Sequence, residues 1–409
     1  MMRAYIISIG DELMNGEIIN TGAAYISKEL IKRGITTNAI LTLPDLIDIA
    51  VKYIKIMMKD EGIFIFTGGL GATQDDITRK ILSEVLKRKL CIDDEKANFL
   101  RQWYKEKGRT FTEADRLQAA FPEGGSLLDN SIGLAPGFYI QNRKQYIFSL
   151  PGVPKEMEYM FMNEVIPRLQ QHSLIDQRYN YEILLFSNIP EYTLDHRVHD
   201  IVTNFEAVRY GTRAMDGIIR VRIESENTDI APCVSVCIDS LNDYFISKGE
   251  KSLENVIGEL LVQKGLTIAV AESCTAGFFS KRITDVSGSS RYFVGGIVSY
   301  SNEIKKNILG VADRTLKKYG AVSKQTAQEM ARGVQKRFAA EITISITGIA
   351  GPDGGSEEKP VGTVYICLYR PPDKMIIDKN VFPGDREGIR RRSVNKAFFI
   401  LQKYLKGLN

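Results

Sequence analysis

The residues with the most chemical promise lie at turns, each placed where an apolar run ends. One turn is Ala271-Glu272-Ser273-Cys274-Thr275-Ala276-Gly277, which closes the apolar run 266–271. A serine at a strand-to-helix turn stands above the sheet, where the helix N-terminus can stabilise an oxyanion. Farther on comes Ser299-Tyr300-Ser301-Asn302-Glu303-Ile304-Lys305. The three histidines, His172, His196 and His199, all precede residue 250, so a Ser-His-Asp triad confined to the last part of the chain is excluded. A nucleophile there uses lysine or tyrosine as its base, or is a cysteine. Taken singly, Ser273 reads more readily as a helix N-cap and Cys274 as a small buried apolar residue. The loop Thr347-Gly348-Ile349-Ala350-Gly351-Pro352-Asp353-Gly354-Gly355 also ends an apolar run. Its glycines suit a nucleotide pocket and suit an ordinary turn equally well.

A second chemistry is suggested nearer the N-terminus, in Thr67-Gly68-Gly69-Leu70-Gly71-Ala72-Thr73-Gln74-Asp75-Asp76. Bare backbone N–H groups of such a loop, at the end of a parallel strand, can face a phosphate. The spacing is neither GxGxxG nor GxxxxGK[ST], which disfavours a Rossmann site and a P-loop. Asp75 and Asp76 read as helix caps when taken alone. Gly10-Asp11-Glu12 ends another apolar run, and a doubly wound sheet brings both turns to one edge. Carboxylates from two strand ends beside a phosphate cradle would suit a Mg²⁺–diphosphate site.

The elements that must position these residues fall into three segments. In the first, apolar runs at 3–10, 40–43 and 63–66 read as strands, with helical spacing at 19–34 and 46–58. A strand at 146–150 and a helix at 155–169 close it. This order implies a parallel sheet with helices on both faces. The middle segment, 171–249, reads as a small α+β unit with strands at 181–186 and 218–223 and helices at 192–202 and 233–245. It carries no evident chemistry, and a spacer or dimerisation role is expected. The third segment, 250–409, is a second α/β domain. It begins with a helix near 251, has helices at 275–285, 324–339 and 386–405, and strands at 266–271, 342–346, 364–368 and 375–381.

At 409 residues the chain exceeds a single core. Lys+Arg 54 against Asp+Glu 50 leaves +4, too small and dispersed for a nucleic-acid or membrane surface. The basic run Arg390-Arg391-Arg392 reads as a solvated helix face. Five scattered cysteines give neither a disulfide framework nor zinc spacing. Without a signal-peptide pattern or a long apolar run, a cytoplasmic location is expected.

Together these motifs resemble the CinA, or competence/damage-inducible, family along nearly the whole chain. Residues 1–170 are similar to its molybdopterin-binding-like domain through Gly10-Asp11-Glu12-Leu13, Thr67-Gly68-Gly69-Leu70-Gly71, Asp75-Asp76, Ala135-Pro136-Gly137-Phe138 and Leu150-Pro151-Gly152-Val153-Pro154. That resemblance implies hydrolysis of ADP-ribose to AMP and ribose 5-phosphate. Asp11, Asp75 and Asp76 would hold a divalent metal, Mg²⁺ or Co²⁺, with K⁺ as a further ion, and Gly68, Gly69, Gly71 and Thr73 would hold the substrate. The chain departs from the pattern at Gly22, Leu43-Pro44-Asp45, Ala72, Ala114-Asp115 and Leu134. Residues 250–409 resemble nicotinamide-nucleotide amidase through Ala271-Glu272-Ser273-Cys274-Thr275, Tyr300-Ser301-Asn302, Lys305, the 348–355 loop, Lys359-Pro360-Val361-Gly362-Thr363-Val364 and Gly384-Asp385-Arg386. This implies a cofactor-free amidase that converts nicotinamide mononucleotide into nicotinic acid mononucleotide and ammonia. Ser273 would be the nucleophile, with Lys305 and Tyr300 activating it. Thr275, Asn302, Thr347, Gly348, Gly351 and Arg386 would contact substrate. Burial and a nearby cation, for which Arg386 is a candidate, could each lower the Lys305 pKa. A homodimer is expected. The alternatives are a molybdopterin carrier or transferase in the first domain, and a non-catalytic scaffold in competence or DNA damage. The weak charge excess argues against direct nucleic-acid binding.

Overall fold

Apolar runs without alternation make the central strands of the first sheet. Gly62–Thr67 is buried at every position and Arg3–Ile9 at all but the first, as strands covered on both faces must be. The structure, a computed structural model, describes residues 3–175 and 179–407 and divides into two compact units, Met1–Asn180 and Tyr181–Asn409. In the first unit, Thr36–Leu43, Arg3–Ile9, Gly62–Thr67 and Gln145–Leu150 pair in parallel in that order. Gly137–Asn142 and Gly125–Leu128 extend the sheet antiparallel, so it is mixed where an all-parallel sheet was expected. Side chains alternate between two cores. Ile6, Ile63 and Ile65 meet helix Thr21–Ile31 and the C-terminal helices on one face. Ile7, Phe64 and Phe66 meet helices Ile47–Met57 and Thr78–Leu86 on the other. The expected helix 155–169 is broken into Pro154–Met160, a π-helical turn Phe161–Val165, and Ile166–Gln171. Pro167 has no N–H to donate, and the wider turn accommodates it.

The second unit contains two sheets. Arg209–Met215, Ile218–Ser225, Asn180–Ser187 and Phe245–Lys248 form the smaller one. The helix expected at 233–245 ends at Ser240, and Phe245 opens a fourth strand instead. Helices Glu191–Val202 and Ala231–Ser240 cover one face, burying Leu194, Val198, Cys233 and Cys237. The other face joins the core of the larger sheet: Leu185, Ile218 and Ile246 pack there. Gln402 donates to the Ile246 carbonyl (2.8 Å), and Asn395 donates to that of Asp216 (2.6 Å). The small sheet is thus built into the third segment rather than strung before it as a spacer.

The larger sheet runs Phe293–Val298, Ile268–Glu272, Ile342–Gly348, Thr363–Arg370, Lys374–Val381. The first three strands are parallel and the last two antiparallel. Helices Leu253–Lys264 and Arg386–Lys406 bury Ile257, Leu261, Phe398 and Leu401 against Val270 and Ile344. Helix Lys324–Phe338 closes the opposite face with Met330 and Val334. The Ser252 side chain caps the first of these helices by accepting from Asn255 N, a contact of about 1 kcal/mol. Among the described residues, no helix is long and apolar enough to cross a membrane.

Candidate active site

Parallel strands deliver their following turns to one sheet edge, where α/β folds hold ligands. Ser273 follows Ile268–Glu272, Ser299 and Tyr300 follow Phe293–Val298, and the 349–355 loop follows Ile342–Gly348. Backbone bonds stitch the edge together: Ser273 N donates to Ile346 O (2.9 Å) and Ser299 N to Glu272 O (2.7 Å). Ser301 caps helix Asn302–Asn307 by accepting from Ile304 N (3.1 Å), which aims Lys305 inward.

Lys305 is the centre of the arrangement. It is 1% exposed, and its Nζ lies 3.0 Å from Ser273 Oγ, 2.7 Å from Ser299 O and 3.3 Å from Tyr300 O. Burial draws its pKa from 10.5 down to about 8. A neutral amine has two N–H donors and one lone pair. These match the two carbonyls and the Ser273 hydroxyl one for one, so the site accommodates the basic form of lysine. The cause is desolvation and not Arg386, which instead donates to Gly351 O (2.6 Å) and Tyr300 Oη (2.9 Å). Tyr300 is 58% exposed, and the direct Ser273–Lys305 contact leaves no gap for its hydroxyl to relay across. Its backbone carbonyl serves the lysine while its ring serves the rim.

Cys274 is buried, and burial pushes its thiol up to about 12. Such a thiol holds almost no thiolate at neutral pH. The serine therefore has the base and the cysteine does not.

The short helix after Ser273 is Phe278–Thr284, capped by Gly277, so Ser273 is not its N-cap. Its first N–H groups are already taken. The buried Glu272 carboxylate accepts from Phe279 N (3.0 Å), Ser280 N (2.9 Å) and Ser280 Oγ (2.7 Å). The expected helix-terminus oxyanion site is therefore closed. Thr275 is the better candidate: its Oγ1 is buried with no partner, and among the described residues its N–H donates to no acceptor. Its carbonyl is held by Arg390 (3.0 Å). Arg391 pairs with Asp216 and Glu387, and Arg392 donates to Pro383 O. Arg390 thus reaches the site, while Arg391 and Arg392 bond to neighbours at the exposed surface, as a solvated face would. Glu272 and Arg390 went unassigned in the sequence, although a carboxylate next to a candidate nucleophile was the available signal for the first.

Other expected contacts divide. Asn302 is exposed at the start of its helix, and Arg386 is exposed at the rim. Thr347 and Thr275 are equally buried, but the Thr347 hydroxyl is committed to Ala321 O (2.9 Å), so it shapes the edge. Gly348 is packed against Val364 and Thr363 O, and Gly351 offers its carbonyl to Arg386. His196 and His199 sit on helix Glu191–Val202, beside Tyr192 and Tyr210, in the smaller sheet's layer.

In the first unit, a cleft of about 780 Å³ is lined by Asp11, Glu12, Asp45, Gly68, Gly69, Gly71, Asp75, Asp76 and Glu156. The glycine loop is not an open cradle. The Asp76 carboxylate accepts from Gly71 N (2.7 Å), Thr73 N (2.7 Å) and Thr73 Oγ1 (2.5 Å), and Gly68 N donates to Leu150 O. An aspartate thus occupies N–H groups expected for a phosphate, and neither Asp75 nor Asp76 caps the next helix. Gly68 has φ 93°, and a Cβ there would run into the Ile9 carbonyl. Asp11 and Asp45 each accept the other's backbone N–H (2.9 and 3.1 Å). Burial, with the charges of Asp11, Glu12 and Asp75, raises the Asp45 pKa. Asp45, named in the sequence only as part of a departing motif, is thus a cleft residue. Among the described residues, no three His, Cys, Asp or Glu side chains come together as a metal cluster. Asp11, Asp75 and Asp76 therefore do not fit a preassembled metal centre, because Asp76 is committed to the loop. Asp115, one of the departures, is buried in a capping box with Thr112.

A doubly wound α/β unit with an acidic cleft, followed by an α/β unit with a serine–lysine pair at its sheet edge, defines a two-part protein class. Residues 5–171 match the family "Probable molybdopterin binding domain", and 250–405 match the "CinA C-terminal domain". A "CinA-like protein" of Kosmotoga olearia is 38% identical, covering 99% of each chain, and one of Thermotoga maritima is 37% identical, covering 100% of this chain and 99% of its own. The crystal structure of competence/damage inducible protein CihA from Agrobacterium tumefaciens is 37% identical over 38% of this chain and 93% of its own, with a TM-score of 0.37. The chain belongs to the CinA family of competence/damage-inducible proteins.

Proposed function

We propose that the second unit hydrolyses the carboxamide of nicotinamide mononucleotide, giving nicotinic acid mononucleotide and ammonia. The observation that carries this reading is the buried Lys305 amine, 3.0 Å from Ser273 Oγ and with its pKa drawn down to about 8. Neutral Lys305 takes the Ser273 proton as Oγ attacks the amide carbon. The oxyanion lies toward the uncommitted Thr275 N–H and hydroxyl. Collapse breaks the C–N bond, and the lysine ammonium returns its proton to the leaving nitrogen, which departs as ammonia. Water then attacks the serine ester with the same lysine as base, releasing the acid and restoring Ser273. The exposed Arg386 guanidinium, held by Gly351 O and Tyr300 Oη, suits the substrate phosphate. Purified protein incubated with nicotinamide mononucleotide should release ammonia and the acid in equal amounts, and Ser273→Ala should release neither.

The first unit supports a second, separate reading, favoured by the carboxylates of Asp11, Glu12 and Asp75 facing one cleft beside a glycine loop. It takes a diphosphate ester of the ADP-ribose class, with a divalent cation, Mg²⁺ or Co²⁺, arriving with that ligand. Chelation should then abolish ADP-ribose turnover and leave ammonia release untouched.

A further inference from the structure

Within the second unit, between the small sheet and the helices of the larger one, lies a recess of about 490 Å³ remote in chemistry from Ser273. Four arginines line it: Arg213, Arg220, Arg282 and Arg391. Three are neutralised locally. Arg220 pairs with Glu250 (3.0 Å), Arg391 with Asp216 (3.2 Å), and the largely buried Arg282 with Glu254. Arg213 is left over: it is exposed, and among the described residues its side chain has no ion pair or hydrogen bond. The hairpin register also sets Arg213 directly opposite Arg220. Like charges at directly opposed strand positions repel, and an anion between them would relieve the repulsion.

Beside these ion pairs, Ser252 and Asn395, the remaining lining is apolar. Leu185, Met215, Leu253 and the Phe278 ring belong to it, and Met215 is largely exposed. The volume falls within the range of small-molecule sites, in which a few polar groups orient a mostly apolar ligand. A surplus guanidinium beside aromatic and aliphatic lining selects a ligand with an anionic head and a flat body. Guanidinium groups bind phosphate through paired N–H donors. We propose that this recess is a binding site for a phosphorylated small molecule of the nucleoside monophosphate class, its phosphate on Arg213 and its ring on the Phe278 wall. The site is independent of the serine–lysine chemistry and of the acidic cleft.

The test is hydrogen exchange on the full chain with AMP as the probe, paired with calorimetric titration. AMP should slow exchange in 209–225 and in 278–284. Arg213→Glu, at an exposed strand position, should keep the wild-type unfolding midpoint and weaken that protection at least about tenfold, as loss of a charge-assisted contact requires. Met215→Glu, which obstructs the recess without touching an arginine, should do the same. Protection that persists in both variants, or that appears only outside these segments, overturns the proposal. So does adenosine protecting as well as AMP, since the phosphate would then contribute nothing.

Discussion

Replacing Lys305 by methionine should change how the stability of the second unit depends on pH. Lys305 titrates at 10.5 when exposed and at about 8 in the fold. Between those values the unfolded chain holds a proton that the folded chain does not, so stability rises with pH. Below about 8 both states are protonated, and the fold bears the whole cost of the buried charge, about 3 kcal/mol. Integrated from pH 7 to pH 10, the wild-type chain should gain about 2.5 kcal/mol relative to Lys305→Met. Other titrating groups are common to both proteins and cancel in the difference. Urea denaturation of each protein at half-unit pH steps gives the two curves. A difference that stays flat from pH 7 to pH 10, or that falls, would refute the assignment of a desolvated lysine at this position.

The same lysine sets the rate profile: kcat/KM for deamidation should rise about tenfold per pH unit below about 8 and level off above it, read from initial rates of ammonia release. Ser273→Ala and Lys305→Ala should each lower kcat by several orders of magnitude, and the double variant should be scarcely slower than either. Tyr300→Phe should keep kcat within about tenfold of wild type, because its hydroxyl touches Arg386 and not the serine, while KM rises. Asp76→Ala frees Gly71 and Thr73 from their common acceptor, so limited proteolysis at 71–76 should run several-fold faster.

Much of this was legible because the strands that position both sites carry plain strand patterns, the unbroken apolar run 63–66 and the alternation at 342–346, whose ends the turns declare. Phe293–Val298 was not. Gly295 and Gly296 break its apolar pattern, and it pairs only with Ile268–Glu272 at the sheet edge. The strand Phe245–Lys248 was hidden by apolar residues that continue past Ser240, although Asn242-Asp243 is a turn signal between the two elements. Ser273 and Lys305 could be paired from motif resemblance, but the sequence could not choose between burial and a nearby cation as the cause of the lysine's shift. Desolvation depends on what the fold stacks over Lys305, and Arg386 was a plausible cation until its bonds to Gly351 and Tyr300 were seen. Asp76 shows the same limit. A carboxylate beside a glycine loop reads as a ligand until its oxygens are found holding that loop together.

The most direct test of the central claim compares ammonia and nicotinic acid mononucleotide formed from nicotinamide mononucleotide by wild type, Ser273→Ala and Cys274→Ala, each shown to be folded. The buried thiol, pushed up to about 12, and the lysine-bonded serine predict equal yields of both products from wild type. They also predict near-wild-type rates from Cys274→Ala and no turnover from Ser273→Ala. An active Ser273→Ala beside an inactive Cys274→Ala, or a wild-type protein that releases no ammonia, would contradict the account.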